Sequence, residues 1–419
     1  MKIYLDNCAS TRVLPEAAKT VWLAMTETYA NPSALHTAGQ EAERAVKQAR
    51  HQIAFTLGTK PGNIVFTSGG TESDNLALFS AFYSGSHTDS PETGQAPVKE
   101  GALLVSAVEH PAVLSAAAVL AARGVRVGTI PVFKAGTDFP GMVDISAFRS
   151  LLKDDVALVS VMHVNNEIGT IQPIDEISRV ISLYNSEHSG AQVRFHVDAV
   201  QSYGKLAIDV VNGDFRRVDL VSMSAHKLHG PKGVGALYAA APAKLHPMVY
   251  GGGQENDVRS GTENVPGIAG FGVSARVASS DIVGHAKQAN ACRRRLLERI
   301  TAEISDVRVN SPADASVTGK PGCSSPYILN ISFLGTRAEV LVHELERSGI
   351  FVSTGAACAS LGKNGEKSSG TLTALGVDKE AAEGAIRFGI SWINTPEEMD
   401  FVVDRLAAAV TRFRRTGSY

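Results

Sequence analysis

From about residue 41 to residue 240, apolar β-rich runs alternate with stretches of helical period, which limits this part of the chain to an α/β fold with a largely parallel sheet. The predicted strands are Ile64–Thr67, Leu103–Val108, Val127–Val132, Ala157–Met162, Val193–Val197, Leu220–Ser224 and Gly235–Ala239. Several are apolar without a break, as strands are when helices cover both faces of a sheet. Between them, Ala42, Ala45, Val46, Ala49 and Ile53 recur at helical spacing, so an amphipathic helix is expected over Glu41–Leu57. Further helices are expected at about 72–83, 111–123 and 174–185. The stretch 84–101, rich in Ser, Thr, Gly, Pro and charge, reads as a surface insertion.

After Gly251-Gly252-Gly253 the pattern changes to a long polar helix at about 281–305, a Pro/Gly/Ser-rich link at 310–326, and a strand–helix–strand run. The expected division is a large domain of residues 15–264 and a smaller α+β domain made of 1–14 plus 265–419. At 419 residues the chain is long enough to bury more than one core. Forty basic and forty-two acidic residues give a net charge of -2, with no basic stripe that would suggest a nucleic-acid partner. The longest soft apolar stretch, Ala112 to Ala122, falls short of the ~20 residues that cross a bilayer, so no membrane role is expected. Cys8, Cys292, Cys323 and Cys358 are far apart, with neither disulfide nor zinc spacing, and a reducing, cytoplasmic setting fits them. No metal site is expected.

Three strand edges carry chemistry. In Phe66-Thr67-Ser68-Gly69-Gly70-Thr71-Glu72-Ser73 a strand ends in a glycine pair and a helix begins, which suits either an anion at the helix N-terminus or plain capping. The strand Val193–Val197 ends in Asp198, at the edge where α/β proteins place ligands. The strand Leu220–Ser224 runs directly into His226 and Lys227, and a lysine placed there can be desolvated into a nucleophilic amine. Together they supply a phosphate cradle, a carboxylate and an amine, the parts that a pyridoxal phosphate site requires.

On Tyr4-Leu5-Asp6-Asn7, Asn31-Pro32-Ser33, the turn from Ser68 to Ser73, Val108-Glu109-His110, Met162 to Gly169, His196 to Gln201, Ser224 to Lys227 and Gly251 to Asn264, the chain resembles the cysteine desulfurases. More narrowly, it is similar to the NifS/IscS branch of the class V aminotransferase enzymes, and the match runs in order over nearly the whole chain. The resemblance implies pyridoxal phosphate fold type I, with a mostly parallel seven-stranded sheet flanked by helices and pyridoxal 5'-phosphate as cofactor. It implies that Lys227 carries the cofactor, that Asp198 faces the ring nitrogen and that Gln201 donates to the phenolic oxygen. His110 is expected to stack on the ring and, as an imidazole titrating near working pH, to carry protons. Gly70, Thr71, Ser224 and His226 are expected to hold the phosphate, joined by Thr262 from the other subunit of a homodimer. Asn166 is expected beside the cofactor and substrate, with Arg387 clamping the substrate carboxylate.

Cys358 follows Ser353-Thr354-Gly355-Ala356-Ala357 and precedes a small, polar, lysine-bearing loop, a setting that favours a reactive thiolate. Cys8, Cys292 and Cys323 lack that setting and are expected to be inert. The resemblance implies conversion of L-cysteine to L-alanine, with a persulfide left on Cys358 and passed to an acceptor protein such as an iron–sulfur cluster scaffold. Alternatives are a selenocysteine lyase, another fold-type I enzyme with an incidental Cys358, and a catalytically silent sulfur-transfer scaffold. Two departures from the family pattern stand out: Asn7-Cys8-Ala9-Ser10-Thr11 near the start, and a longer loop after Cys358.

Overall fold

The computed structural model describes residues 2–83, 98–188, 192–355 and 369–416. Most of the predicted insertion at 84–101, and Cys358 with most of its loop, lie outside the described residues. The first part of the chain forms β1 (Ile3–Tyr4), α1 (Pro15–Thr26), α2 (Thr37–Thr56), β2 (Ile64–Thr67), α3 (Gly70–Phe82), β3 (Ala102–Ser106) and α4 (Pro111–Ala122). There follow β4 (Arg126–Ile130), α5 (Ile145–Leu151), β5 (Val156–Ser160), α6 (Ile174–Glu187), β6 (Arg194–Asp198), β7 (Leu220–Ser224) and β8 (Gly235–Ala239). The remainder forms α7 (Val265–Ser280), α8 (Ile282–Glu303), β9 (Val307–Val309), β10 (Ile328–Phe333), α9 (Ala338–Arg347), β11 (Ile350–Phe351) and β12 (Ser353–Thr354). The last elements are α10 (Gly370–Ala374), α11 (Lys379–Glu383), β13 (Ala385–Gly389) and α12 (Pro396–Thr416).

All seven predicted strands join one sheet, in the order β2-β8-β7-β6-β5-β3-β4. Its pairings are parallel except those of β8, which runs antiparallel to both β7 and β2. That single reversal brings the carboxyl ends of β2 and β7 to the same edge, because Thr67 and Ser224 both sit opposite Gly235. Glycine is required there: a Cβ at 235 would lie 2.7 Å from the Gly69 Cα and 2.6 Å from the Met223 carbonyl oxygen. The predicted strands run on past β3, β4 and β5 to Val108, Val132 and Met162. These residues are buried too, so the apolar run continues into the loops at the sheet edge after the pairing has ended.

Helix α2 buries Ala42, Val46, Ala49 and Ile53 along one stripe, against α7. At Gly272 of α7 a Cβ would come within 2.7 Å of the Ala49 Cα, so glycine sets the approach of the two helices. A second core joins Ile3 and Leu5 to Leu296, Ile300, Leu329, Phe388, Val402 and Leu406. There β1 pairs in parallel with β11, and the antiparallel sheet β12-β13-β10-β9 lies beneath α8 and α12. The core does not divide at residue 264: Val265, Ile268, Phe271, Ala275 and Ala278 of α7 belong with the first core, because α7 lies on α1 and α2. No helix among the described residues is long and apolar enough to cross a membrane.

Candidate active site

The carboxyl edges of β6 and β7, the start of α3 and the amino-terminal segment enclose a cavity of about 240 Å³. Gly70, Thr71, His110, Asn166, Asp198, Gln201, Ser224, His226 and Lys227 line it, as do Cys8, Asp74, Met162 and Val200. Residues expected at separate strand edges therefore meet at one place. β7 ends at Ser224 and a single 3-10 turn, Ala225–Lys227, swings the lysine back over the edge. Lys227 Nζ donates to the carbonyl oxygens of Cys8 at 2.6 Å and Ala9 at 2.9 Å.

Asp198 closes β6 and accepts from the Val200 N–H at 2.8 Å. Burial pushes its carboxyl up to about 6, against the lowering effects of that N–H and of Lys227. Behind it, Asp74 of α3 is buried, with Oδ1 3.6 Å from His196 Nε2. Burial, and then the charge of Asp198, raise Asp74 well above the ordinary carboxyl range. His196 is bracketed by Ser160 at 2.8 Å and Ser222 at 2.9 Å, and burial depresses it to about 3, so it is neutral.

His110 caps α4, its Nδ1 accepting from the Ala112 N–H at 3.1 Å, which leaves the neutral ring's proton on Nε2. The expectation that His110 titrates near working pH fails. Burial, then Lys227 and Arg387, push it down to about 4. The preceding Glu109 accepts from the Met162 N–H at 2.8 Å and from the Ser106 hydroxyl, tying the ends of β3 and β5 together beneath the cavity.

A pyridoxal phosphate group fits these residues. Ser224 Oγ is buried with no hydrogen-bond partner among the described residues, beside the Gly69-Gly70 turn that opens the thirteen-residue α3. Hydroxyl and helix N-terminus together suit a phosphate. A cationic ring nitrogen would offset the desolvation of Asp198.

Arg387, on β13, is buried just outside the cavity lining, its Nη1 3.0 Å from the Asn166 carbonyl oxygen and its Nη2 3.2 Å from Asp6. Thr262 is exposed on the loop before α7, away from this chain's cavity. Cys358 lies outside the described residues. Sequence reasoning missed four lining residues, of which Asp74 and Cys8 carry ionisable groups. Asp74 stands one helical turn after Gly70, a spacing that could have revealed it. Cys8, expected to be inert, lines the cavity as a buried thiol whose pKa burial raises, so it is close to the chemistry but not a ready thiolate.

The family model that matches this sequence, over residues 3–402, is Aminotransferase class-V. The chain belongs to that family. Among curated members, it is 35% identical to the "Cysteine desulfurase IscS" of Dictyoglomus turgidum, over 100% of this chain and 97% of the relative. It is 37% identical to the "Cysteine desulfurase NifS" of Azotobacter vinelandii, over 100% of this chain and 94% of that one. Among solved structures, a "NIFS-LIKE PROTEIN" superposes with a TM-score of 0.83 at 32% identity, covering 98% of this chain and 100% of its own. The family places the sheet and cavity in fold type I, where pyridoxal phosphate is the cofactor.

One prediction concerns Asp198 in the cofactor-free protein. Its folded-state pKa, about 6, exceeds the value of about 4 in an unfolded chain. Ionisation therefore disfavours folding, and stability is lost as pH rises from about 4 to about 6. Relative to wild type, Asp198→Asn should gain stability across that window, read as the difference between two series of thermal melts. A difference that stays flat with pH contradicts the assignment.

Proposed function

We propose that this chain is a pyridoxal 5'-phosphate-dependent cysteine desulfurase that converts L-cysteine to L-alanine and leaves a persulfide on Cys358. One observation carries this reading. Lys227, Asp198, Gln201, His110 and the unpartnered Ser224 hydroxyl converge on one cavity, in a chain that matches curated cysteine desulfurases over its full length.

Pyridoxal 5'-phosphate, carried on Lys227, supplies an electron sink for the substrate Cα. Ser224, His226, Thr71 and the Gly70 N–H hold its phosphate, and Thr262 of a partner subunit completes that cradle. Asp198 holds negative charge against the ring nitrogen. The Lys227 amine, when free, would take the Cα proton of the substrate. Arg387 binds the substrate carboxylate next to Asn166, in exchange for part of its contact with Asp6. His110, neutral at working pH, faces the cofactor ring and presents its Nε2–H to the cavity as a proton donor. The Cys358 thiolate attacks the substrate sulfur; an S–S bond forms as the Cβ–S bond breaks, and protonation of Cβ yields alanine. In sum, L-cysteine and the Cys358 thiol become L-alanine and the Cys358 persulfide.

Exposed apolar side chains over 22–35, among them Trp22, Met25, Tyr29 and Leu35, support a homodimer. The free thiols of Cys8, Cys292 and Cys323 support a reducing cytoplasmic setting. The persulfide then passes to an acceptor protein, a cluster scaffold or another thiolation partner. The test is alanine release from L-cysteine and from L-selenocysteine, measured side by side. Steady release from cysteine is expected; turnover of selenocysteine alone would overturn the reading in favour of a lyase.

A further inference from the structure

Lys205 is a lysine in the wrong place for an ordinary one. It is 3% exposed, makes no ion pair among the described residues, and lies over the Tyr327 ring at 5.7 Å from the centroid. Among the described residues its one hydrogen bond runs from Nζ to Gln201 Oε1 at 3.4 Å. Burial, then Lys227 and Arg387, oppose its charge, and the nearby Cys8 favours it; the balance brings it down to about 8. His226 and His229 also lie within its field, and Tyr327 is the phenol beneath it. An unpaired buried cation destabilises a fold, and a side chain serving only to fill that space would be apolar.

The other end of Gln201 indicates what the lysine does. Gln201 Nε2 donates to the Cys8 carbonyl oxygen at 2.9 Å, the same oxygen that accepts from Lys227. The two ends of an amide are nearly the same in shape, so only its partners decide which way it faces. Below about pH 8 Lys205 is an ammonium, which can only donate, and a carbonyl can only accept. A flipped Gln201 would set its NH2 against Lys205 and its oxygen against Cys8 O. Gln201 also lines the cavity, so its second N–H is the one left for a ligand there.

We propose that Lys205 is a positioning residue, which fixes the Gln201 amide so that its nitrogen, rather than its oxygen, meets the phenolic oxygen of the bound cofactor. The proposal rests on the cofactor reading above and extends it by one residue. Lys205 touches neither cofactor nor substrate; it acts through Gln201.

The experiment loads the full-length protein with pyridoxal 5'-phosphate and titrates its visible absorption band with pH, for wild type, Lys205→Met, Gln201→Leu and the double variant. Without an oriented donor the phenolic oxygen holds its proton-sharing with the neighbouring nitrogen more tightly. The midpoint of Lys205→Met should therefore move up by about one pH unit. Gln201→Leu should reproduce that shift, and the double variant should add little to either. Thermal melts of the cofactor-free protein give a second reading, in which Lys205→Met should be at least as stable as wild type because an unpaired buried charge is gone. Should Lys205→Met fail to fold, the proposal is wrong on stability, and Lys205→Gln still reports the midpoint. A normal wild-type band with a midpoint unmoved by Lys205→Met, or equal shifts with and without Gln201, overturns the role of Lys205 alone. A wild-type protein that forms no band with added cofactor overturns both readings.

Discussion

Lys227→Ala is expected to reduce alanine formation from L-cysteine by on the order of 10²–10⁴-fold from lost proton transfer alone, and further through loss of the covalent hold on the cofactor. Both effects come from one amine. Lys227 Nζ stands at the carboxyl edge of the sheet, held by the Cys8 and Ala9 carbonyl oxygens in the cavity that Asp198 and Gln201 also line. The variant should fold, because the lost hydrogen bonds go to carbonyls that water can reach once the side chain is short. Its cofactor should wash out on dialysis, and borohydride should fix none of it to the chain. A Lys227→Ala protein that keeps a reducible cofactor, or more than a tenth of the wild-type rate, would remove Lys227 from the centre of the account.

Cys358→Ala carries the second large effect. Cofactor absorption should be unchanged, because every residue expected to hold the cofactor is kept, while alanine formation falls by at least on the order of 10³-fold, the scale of losing a nucleophile. The contrast would separate the two proposed roles, Lys227 in holding the cofactor and moving the Cα proton and Cys358 in taking the sulfur. Full alanine release by Cys358→Ala would mean that another enzyme of this fold has an incidental cysteine there.

The large sheet was legible in the sequence because unbroken apolar runs have few alternatives. Each predicted strand overlaps an observed one, and the overshoot at Val108, Val132 and Met162 arises where buried loops share the composition of buried strands. The convergence of Ser224, Lys227 and Asp198 followed from the rule that ligands gather at carboxyl strand edges, together with the resemblance. Other features depend on contacts that sequence pattern does not encode. Two partners of Lys227 are main-chain carbonyls, which any residues at positions 8 and 9 would supply. The depressed pKa of His110 reflects burial beside Lys227 and Arg387, which are 117 and 277 residues further along. Arg387 pairs with Asp6 from the far end of the chain, across a sheet that only tertiary structure assembles. Lys205 looks like any surface lysine until its depth is known.

The most direct test of the central claim is the mass of the peptide containing Cys358, taken from the cofactor-loaded protein before and after exposure to L-cysteine with no acceptor present. The account predicts a gain of one sulfur atom on Cys358, removable by a thiol reductant and accompanied by one alanine per modified site. Alanine formed while that peptide stays unmodified, or sulfur added to Cys8 or Cys323 in its place, would contradict it.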